Sequence, residues 1–109
     1  MLVIMAFKIL YPNTVFINRG NQECKHLCNL YGFEAEIRYK YDVKTYELFA
    51  EWFEFLPLAH VFSNLILVLH GGLFGRDGVT LAEMVNIQRK MNIPESGDLV
   101  DIVWGEFND

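Results

Sequence analysis

An α/β fold is predicted for this chain from three stretches of its sequence. The segment "TVFIN", residues 14 to 18, is β-branched and aromatic, and it leads into a glycine-containing loop at residues 19 to 23, as a buried strand does in α/β folds. Apolar residues recur at helical steps between positions 43 and 56. Two apolar runs on either side of Ser63 and Asn64 predict a β-hairpin.

The length and composition indicate one globular domain. The chain has 109 residues, of which 52% are hydrophobic and 15% aromatic, a mixture unlike that of disordered chains. Its net charge of -5 argues against nucleic acid as a partner, since phosphate binding needs a basic face. The apolar start, "MLVIMAFKIL", is too short to span a bilayer and has neither a basic leader nor a cleavage site, so we expect no signal peptide and no membrane anchor.

Four helices are predicted in the first half of the chain. Residues 1–10 are interpreted as the last turns of a buried helix that ends at Pro12. Residues 24–31 and 33–41 form two helical pieces separated by Gly32, which can adopt the left-handed conformation. The fourth helix, residues 43–56, ends before Pro57 and is expected to face the core with one stripe: Val43, Tyr46, Phe49, Phe53 and Leu56.

The second half of the chain begins with the predicted hairpin, whose second strand ends at His70. Thr80 is the expected N-cap of a further helix, because Glu83 follows three residues later and completes a capping box. This helix is predicted to last until about Asn92. Turns near positions 94 and 97 then lead to a short apolar piece that ends at Trp104.

A metal site made of Cys24, His26 and Cys28 is disfavoured by the spacing of these residues. In a helix, positions 24 and 28 share one face and position 26 points away from it. The two cysteines are therefore expected to be free, reduced thiols, and so small a number favours an intracellular protein over a secreted disulfide framework.

Asn21 and His70 are candidate metal ligands, because each is expected at the end of a strand beside a glycine. Strand ends are rigid, and glycine lets the backbone approach an anion or a metal closely. Both residues have an alternative explanation: a histidine at a strand end often bonds to loop backbone, and an asparagine beside glycine is often a turn residue. The spacing by itself leaves the two interpretations open.

Several motifs in order resemble the serine/threonine protein phosphatases of the metallophosphoesterase superfamily. They are "RGNQE", "YGFEAEIRYKY", "FEFLPLAHVF", "LVLHGGLF" and "GDLVDIVW". The chain is most similar to the type 5 branch, and the similarity covers essentially every residue. It implies a central β-sandwich flanked by helices, of which residues 1–109 would hold the middle portion, with about three strands and four helices.

The resemblance also implies roles for four residues. The family signature R-G-N-H-E has a metal-binding asparagine, matched by Asn21, and a histidine that protonates the leaving oxygen, replaced here by Gln22. The histidine of the H-G-G motif is a metal ligand, which corresponds to His70. Tyr31, in the Y-G-F element, is expected near the substrate groove.

Two divalent ions, of manganese, iron or zinc, serve as cofactors in this family. Such a pair needs about six protein ligands. Only two of them match here, because motifs G-D-x-H-G and G-D-x-x-D-R-G would precede Met1 and further histidines would follow Asp109. Very weak metal binding is therefore expected. A second departure is the family's W-S-D-P, which reads Trp104-Gly105-Glu106-Phe107 in this chain.

The functional expectation is a central fragment of a phosphatase whose parent hydrolyses phosphoserine and phosphothreonine esters in proteins of the cytoplasm or nucleus. By itself the chain is expected to be inactive. The alternatives are a pseudophosphatase or interaction module, and an incomplete gene product without a role of its own. Missing strands would leave apolar surface uncovered, which favours association with other chains.

Overall fold

Six helices and a two-stranded sheet make up the part of the chain that the structure describes. The structure is a computed structural model and describes residues 1–106. The helices are α1 (Leu2–Leu10), α2 (Lys25–Leu30), α3 (Phe33–Lys40), α4 (Val43–Phe55), α5 (Leu81–Val85) and α6 (Asp98–Trp104). The strands are β1 (Ala59–Phe62) and β2 (Ile66–Leu69), so the α/β prediction is confirmed.

The predicted hairpin is present, with β1 and β2 antiparallel and Phe62 opposite Ile66. Its turn lies at Ser63 and Asn64, whose φ angles are 52° and 56°. A hydrogen bond of 3.0 Å from the Leu65 N–H to the Phe62 carbonyl closes this turn. Two successive left-handed residues match the twist of a two-stranded ribbon, which explains why this pair of residues predicted the turn correctly.

Two small apolar clusters form the core. The first joins α2, α3 and α4, and its buried members are Cys28, Ile37, Tyr46, Phe49, Phe53 and Leu56. The second lies between β1 and α6, with Leu58, Leu99, Ile102 and Val103 buried. The predicted core stripe of α4 is therefore confirmed except at Val43, which is 46% exposed because it lies in the first turn of the helix.

The helix α1 confirms the prediction of a helix over residues 1–10 but not its burial. No residue of α1 is buried, and only Met5 is among the partly buried residues that pack on the first cluster. Its apolar side chains instead form an exposed surface, with Ile9 77% accessible. Within residues 1–106, no helix is both long enough and apolar enough to cross a membrane.

The prediction of a strand over residues 14–18 was wrong for this structure. The segment has no regular secondary structure and pairs with neither strand. The side chain of Asn18 donates a hydrogen bond of 3.0 Å to the Val68 carbonyl, and the next residue, Arg19, donates its backbone N–H to Pro57. A segment rich in β-branched and aromatic residues forms a strand only where a partner strand is adjacent.

The predicted helix from Thr80 to Asn92 is also much shorter than expected. Its capping box between Thr80 and Glu83 is present, but α5 ends at Val85. The side chain of Asn86 donates a hydrogen bond of 2.9 Å to the Ala82 carbonyl, which would accept the Asn86 N–H if the helix continued. Further along, the carbonyls of Arg89 and Met91 accept hydrogen bonds from the side chain of Arg19.

The apolar piece ending at Trp104 is helical, so α6 was missed as a helix. Its buried residues Leu99, Ile102 and Val103 recur at steps of three and one, which place them on one face. A helix of seven residues has about two turns, which are too few to distinguish the helical spacing of its apolar residues from the spacing in a strand.

Candidate functional site

The structure brings the two predicted metal ligands together. The Oδ1 atom of Asn21 lies 3.3 Å from the Nε2 atom of His70. Two neighbouring ligands held about 2.1 Å from one ion are roughly 3.0 to 3.4 Å apart, so this pair could bind the same ion. The loop at residues 19–23 and the end of β2 therefore converge, although the first is not preceded by a strand as predicted.

The loop that carries Asn21 is closed by Glu23. The Glu23 Oε2 atom accepts a hydrogen bond of 2.9 Å from the Gly20 N–H, and the Glu23 N–H donates one of 3.3 Å to the Gly20 carbonyl. A Cβ atom on Gly20 would lie 2.9 Å from both Glu23 Oε2 and His70 Nδ1. A side chain at this position would displace the imidazole ring of His70 or the carboxylate of Glu23, and glycine leaves both in place.

Arg19 is the buried anchor of the same loop, a role that the sequence analysis did not predict. Its side chain is fully buried. The guanidinium donates to the Glu23 carbonyl at 3.1 and 3.0 Å and to the carbonyls of Arg89 and Met91 at 2.8 and 2.9 Å. Burial lowers the pKa of Arg19 from its ordinary value, and the charge of Glu54 opposes that shift. Arg19 thus connects the site loop to residues 89–91.

The glycines after His70 hold the second loop against α6. The Gly71 N–H donates a hydrogen bond of 3.0 Å to the Ile102 carbonyl. A Cβ atom on Gly71 would be 2.8 Å from the Val103 carbonyl carbon, and one on Gly72 would be 2.9 Å from Gly105. This close packing of backbone on backbone allows only glycine at both positions.

The departure from W-S-D-P coincides with that contact. A Cβ atom on Gly105 would lie 2.6 Å from the Asp101 carbonyl oxygen and 3.0 Å from the Cα of Gly72. The serine of the family pattern would therefore need a shifted backbone here. Of the other residues in this departure, Glu106 is exposed and Phe107 lies outside the described residues.

Gln22 and Tyr31 share one small cavity of about 110 Å³. Both side chains are exposed, and the cavity between them is otherwise mainly apolar, with Leu27, Phe33 and Phe53 in its wall. The Gln22 carbonyl also accepts a weak hydrogen bond from the Cys28 thiol, at 3.5 Å. The two residues to which the family resemblance assigned the proton-donor position and the substrate groove thus line the same cavity.

The two cysteines are free and buried, whereas His26 is exposed. Burial, with smaller effects of Cys24 and Glu23, raises the pKa of the Cys28 thiol to about 11. A neutral thiol is a poor metal ligand. Among the residues before position 107, no three His, Cys, Asp or Glu side chains are grouped so that they could hold a metal ion.

A metal at Asn21 and His70 would therefore have one amide oxygen and one imidazole nitrogen from this part of the chain. This donor set suits manganese, iron or zinc equally. It contains no carboxylate to neutralise a divalent charge. Asn21 and His70 fit two of the coordination positions of one metal ion. A two-metal centre would need ligands beyond those that the described residues bring together.

Comparison with known proteins identifies the family. A family model described as calcineurin-like phosphoesterase matches residues 1–109. The chain belongs to the calcineurin-like phosphoesterase family, whose members are metallophosphoesterases that use divalent metals.

The relatives with similar sequences are protein phosphatases. Human serine/threonine-protein phosphatase 5 is 44% identical over 105 residues, which cover 96% of this chain and 21% of the relative. Serine/threonine-protein phosphatase T of Schizosaccharomyces pombe is 46% identical over 103 residues, covering 93% and 22% of the two chains. The chain thus spans about one fifth of the length of these curated relatives. The predicted resemblance to the type 5 branch is confirmed.

The fold agrees with this assignment. A solved serine/threonine phosphatase from Saccharomyces cerevisiae, described as similar to human phosphatase PP5, superimposes with a TM-score of 0.92 at 42% identity. The match covers 94% of this chain and 33% of that structure. The fold is therefore that of a metallophosphoesterase, to which residues 1–106 contribute a two-stranded sheet and six helices.

Proposed function

We propose that residues 1–109 are the central part of a serine/threonine protein phosphatase catalytic domain, and that Asn21 and His70 hold one ion of its divalent metal centre. The observation that carries this proposal is the distance of 3.3 Å between their ligand atoms, across two loops that come from distant parts of the chain. The proposed substrates are phosphoserine and phosphothreonine esters of intracellular proteins, in the cytoplasm or nucleus. Tyr31 would line the groove that receives them.

Gln22 would occupy the position of the proton donor. A carboxamide has no proton to give near neutral pH, whereas histidine titrates there. Loss of a general acid costs about 10²- to 10⁴-fold in rate. Gln22 could still donate a hydrogen bond to a phosphate oxygen, so binding is expected to suffer less than turnover.

The 109 residues by themselves are proposed to be inactive. Two neutral ligands hold a divalent ion weakly against water, and the bridging carboxylates of a two-metal centre are not among the residues gathered at this site. When bound, the metal pair would supply an activated hydroxide as nucleophile. The contribution of this chain would then be to orient one metal and, through Arg19, to hold the loop that carries Asn21.

A chimera tests this proposal, with residues 1–106 placed in the matching region of the human relative. With Mn²⁺, Gln22→His is expected to raise turnover of a phosphoserine peptide about 10²- to 10⁴-fold. Its effect on p-nitrophenyl phosphate should be much smaller, because that leaving group needs little protonation. Gln88→His, at an exposed position outside the loop of residues 19–23, is the matched control.

Two results would contradict the proposal. One is measurable hydrolysis of p-nitrophenyl phosphate by the purified 109-residue chain, which would contradict its proposed inactivity. The other is an equal gain from Gln22→His and Gln88→His in the chimera, which would show that position 22 does not carry the proton donor.

A second candidate function is an interaction module without catalysis. The observation that favours it is the exposed apolar surface of α1, on which no residue is buried. A cooperative thermal transition that appears only with a stoichiometric partner protein would support this candidate. A cooperative transition of the isolated chain, with no partner recovered, would count against it.

A further inference from the structure

The outer face of α4 carries a row of large apolar side chains. Leu48, Trp52 and Phe55 are spaced by four and three residues, and with Glu51 they line a shallow groove. Leu48 is 58% exposed and Phe55 50% exposed. The spacing of four and three is the spacing of a helix seam that packs against another helix. Trp52 is only partly buried: it packs on the first apolar cluster, with its ring centroid 5.7 Å from that of Phe53, and it also lines this groove.

A row of carboxylates runs beside this apolar row. Glu47, Glu51 and Glu54 line an adjoining groove of about 330 Å³, and Glu51 borders both grooves. Lys25 and Arg38 line the same adjoining groove. In the part of the chain that the structure describes, the ion pairs join other residues, and none involves these three glutamates. Three carboxylates against two cations leave this groove with a net negative charge, so a further cation from a partner would be attracted to it.

A further cation of the chain contacts the apolar row. The Lys90 Nζ atom lies 4.8 Å from the centroid of the Phe55 ring. A lysine over an aromatic face gains a cation–π attraction, and the same attraction is open to a basic side chain that approaches Trp52. The face therefore combines an apolar groove, aromatic rings and unpaired acids.

We propose that this face of α4 binds a basic amphipathic helix of a partner protein. The apolar side chains of that helix would pack in the groove lined by Leu48, Trp52 and Phe55. Its lysines or arginines would form ion pairs with Glu51 and Glu47. The arrangement is that of a helix laid in a groove. The proposed contact runs only from Leu48 to Phe55, about two helical turns. Stable interfaces bury about 800 Å² on each partner, so we expect a transient complex.

Charge decides which occupant fits. A second copy of this chain that packed the same face against itself would bring two rows of glutamates together, and like charges at an interface are costly. A basic helix instead pairs with them. The proposal does not depend on catalysis, because neither Asn21 nor His70 belongs to this face.

Trp52 provides a readout that reports on this groove directly. The chain has two tryptophans, so a Trp104→Phe background leaves Trp52 as the only one. The test adds a 14-residue Leu–Lys amphipathic peptide, and a Leu–Glu peptide of the same pattern is the control. We expect a saturable blue shift of Trp52 emission with the Leu–Lys peptide and none with the Leu–Glu peptide.

Two substitutions connect that signal to the proposed contacts. Leu48→Ser is expected to weaken binding of the Leu–Lys peptide about tenfold by removing apolar contact area. Glu51→Lys should weaken it about 5- to 10-fold by replacing attraction with repulsion. Glu95→Lys makes the same charge change at a distant exposed position and should change the affinity less than about twofold, since salt screens distant charges.

Three results would overturn the proposal. The first is the absence of a Trp52 emission shift with the Leu–Lys peptide, and the second is an equal shift with the Leu–Glu peptide. The third is an equal loss of affinity for the Leu–Lys peptide in Glu51→Lys and Glu95→Lys. Sedimentation of the chain decides the remaining case: a dimer that Leu48→Ser dissociates would assign this face to a second copy. Far-UV circular dichroism of each variant distinguishes lost binding from lost folding, because these positions are on the surface.

Discussion

The Oδ1 atom of Asn21 lies 3.3 Å from the Nε2 atom of His70, although 49 residues separate the two along the chain. Two loops with different supports meet at this point. The loop of Asn21 is held by the buried guanidinium of Arg19, and the loop of His70 is held by Gly71 on the end of α6. Each support can be tested by itself.

Metal binding should depend on both ligands. Titration of Mn²⁺ into the chain is expected to broaden the NMR signals of the residues around Asn21 and His70, because a paramagnetic ion relaxes nearby nuclei. Asn21→Ala or His70→Ala should abolish this broadening. His26→Ala, at an exposed helical position, should preserve it. Broadening that survives in the Asn21 and His70 variants would place the metal elsewhere.

Replacement of Arg19 should destabilise the chain strongly. Arg19→Lys keeps the charge but cannot reach the carbonyls of Glu23, Arg89 and Met91 together, so buried acceptors lose their partners. We expect a loss of about 2 to 4 kcal/mol in the free energy of unfolding. Urea denaturation measures it. Arg76→Lys is the matched control, because Arg76 is exposed and makes only surface ion pairs; a shift in its midpoint as large as that of Arg19→Lys would contradict the prediction.

Gly71 should not tolerate a side chain. A Cβ atom there would lie 2.8 Å from the Val103 carbonyl carbon, so Gly71→Ala is expected to cost about 1 to 3 kcal/mol through overpacking. Gly75→Ala is the control, because its Cβ would meet only Asp101 Oδ2 at an ordinary 3.5 Å. Thermal denaturation of the two variants should therefore differ, and equal melting temperatures would show that the loop of His70 can move.

The stability of the chain should fall at alkaline pH. Burial raises the pKa of Cys28 from 9.0 to about 11 and that of Tyr46 from 10.0 to about 12. The unfolded chain therefore loses these protons first, and unfolding becomes more favourable as the pH rises from about 9 towards 11. Urea midpoints at pH 8, 9 and 10 measure this decrease.

Cys28→Ser removes the thiol part of that dependence and should make the decrease shallower. The same burial should protect the native thiols from iodoacetamide at pH 8, with labelling appearing only in urea. Rapid labelling of Cys28 in the native chain would contradict the burial from which the pKa shift arises.

Local signals in the sequence predicted the features that depend on few neighbours. The turn at Ser63 and Asn64, the capping box of Thr80 and Glu83, and the left-handed Gly32 are present as predicted. Asn21 and His70 could be matched to a metal site through the family motifs. These features were accessible because a turn, a cap or a motif is specified by residues close together in the chain.

Other features could not be predicted because they depend on distant partners. Residues 14–18 have the composition of a strand but pair with neither strand among residues 1–106. Residues 89–91, which were predicted to be helical, instead have the carbonyls of Arg89 and Met91 bound by Arg19, about 70 residues earlier in the chain. Helix α6 was too short to show its period. Nothing in the sequence around Arg19 indicated that its guanidinium would be buried on backbone carbonyls.

The sequence by itself determined the family of this protein and the identities of Asn21, Gln22 and His70, on which the proposed metal and proton-donor positions depend, because these follow from residue identity and order. Only the tertiary structure decided that Asn21 and His70 meet, that Arg19 and Gly71 hold their loops, and that α4 presents an acidic and apolar outer face. Distances between remote residues arise from packing and long-range hydrogen bonds, which local sequence does not encode.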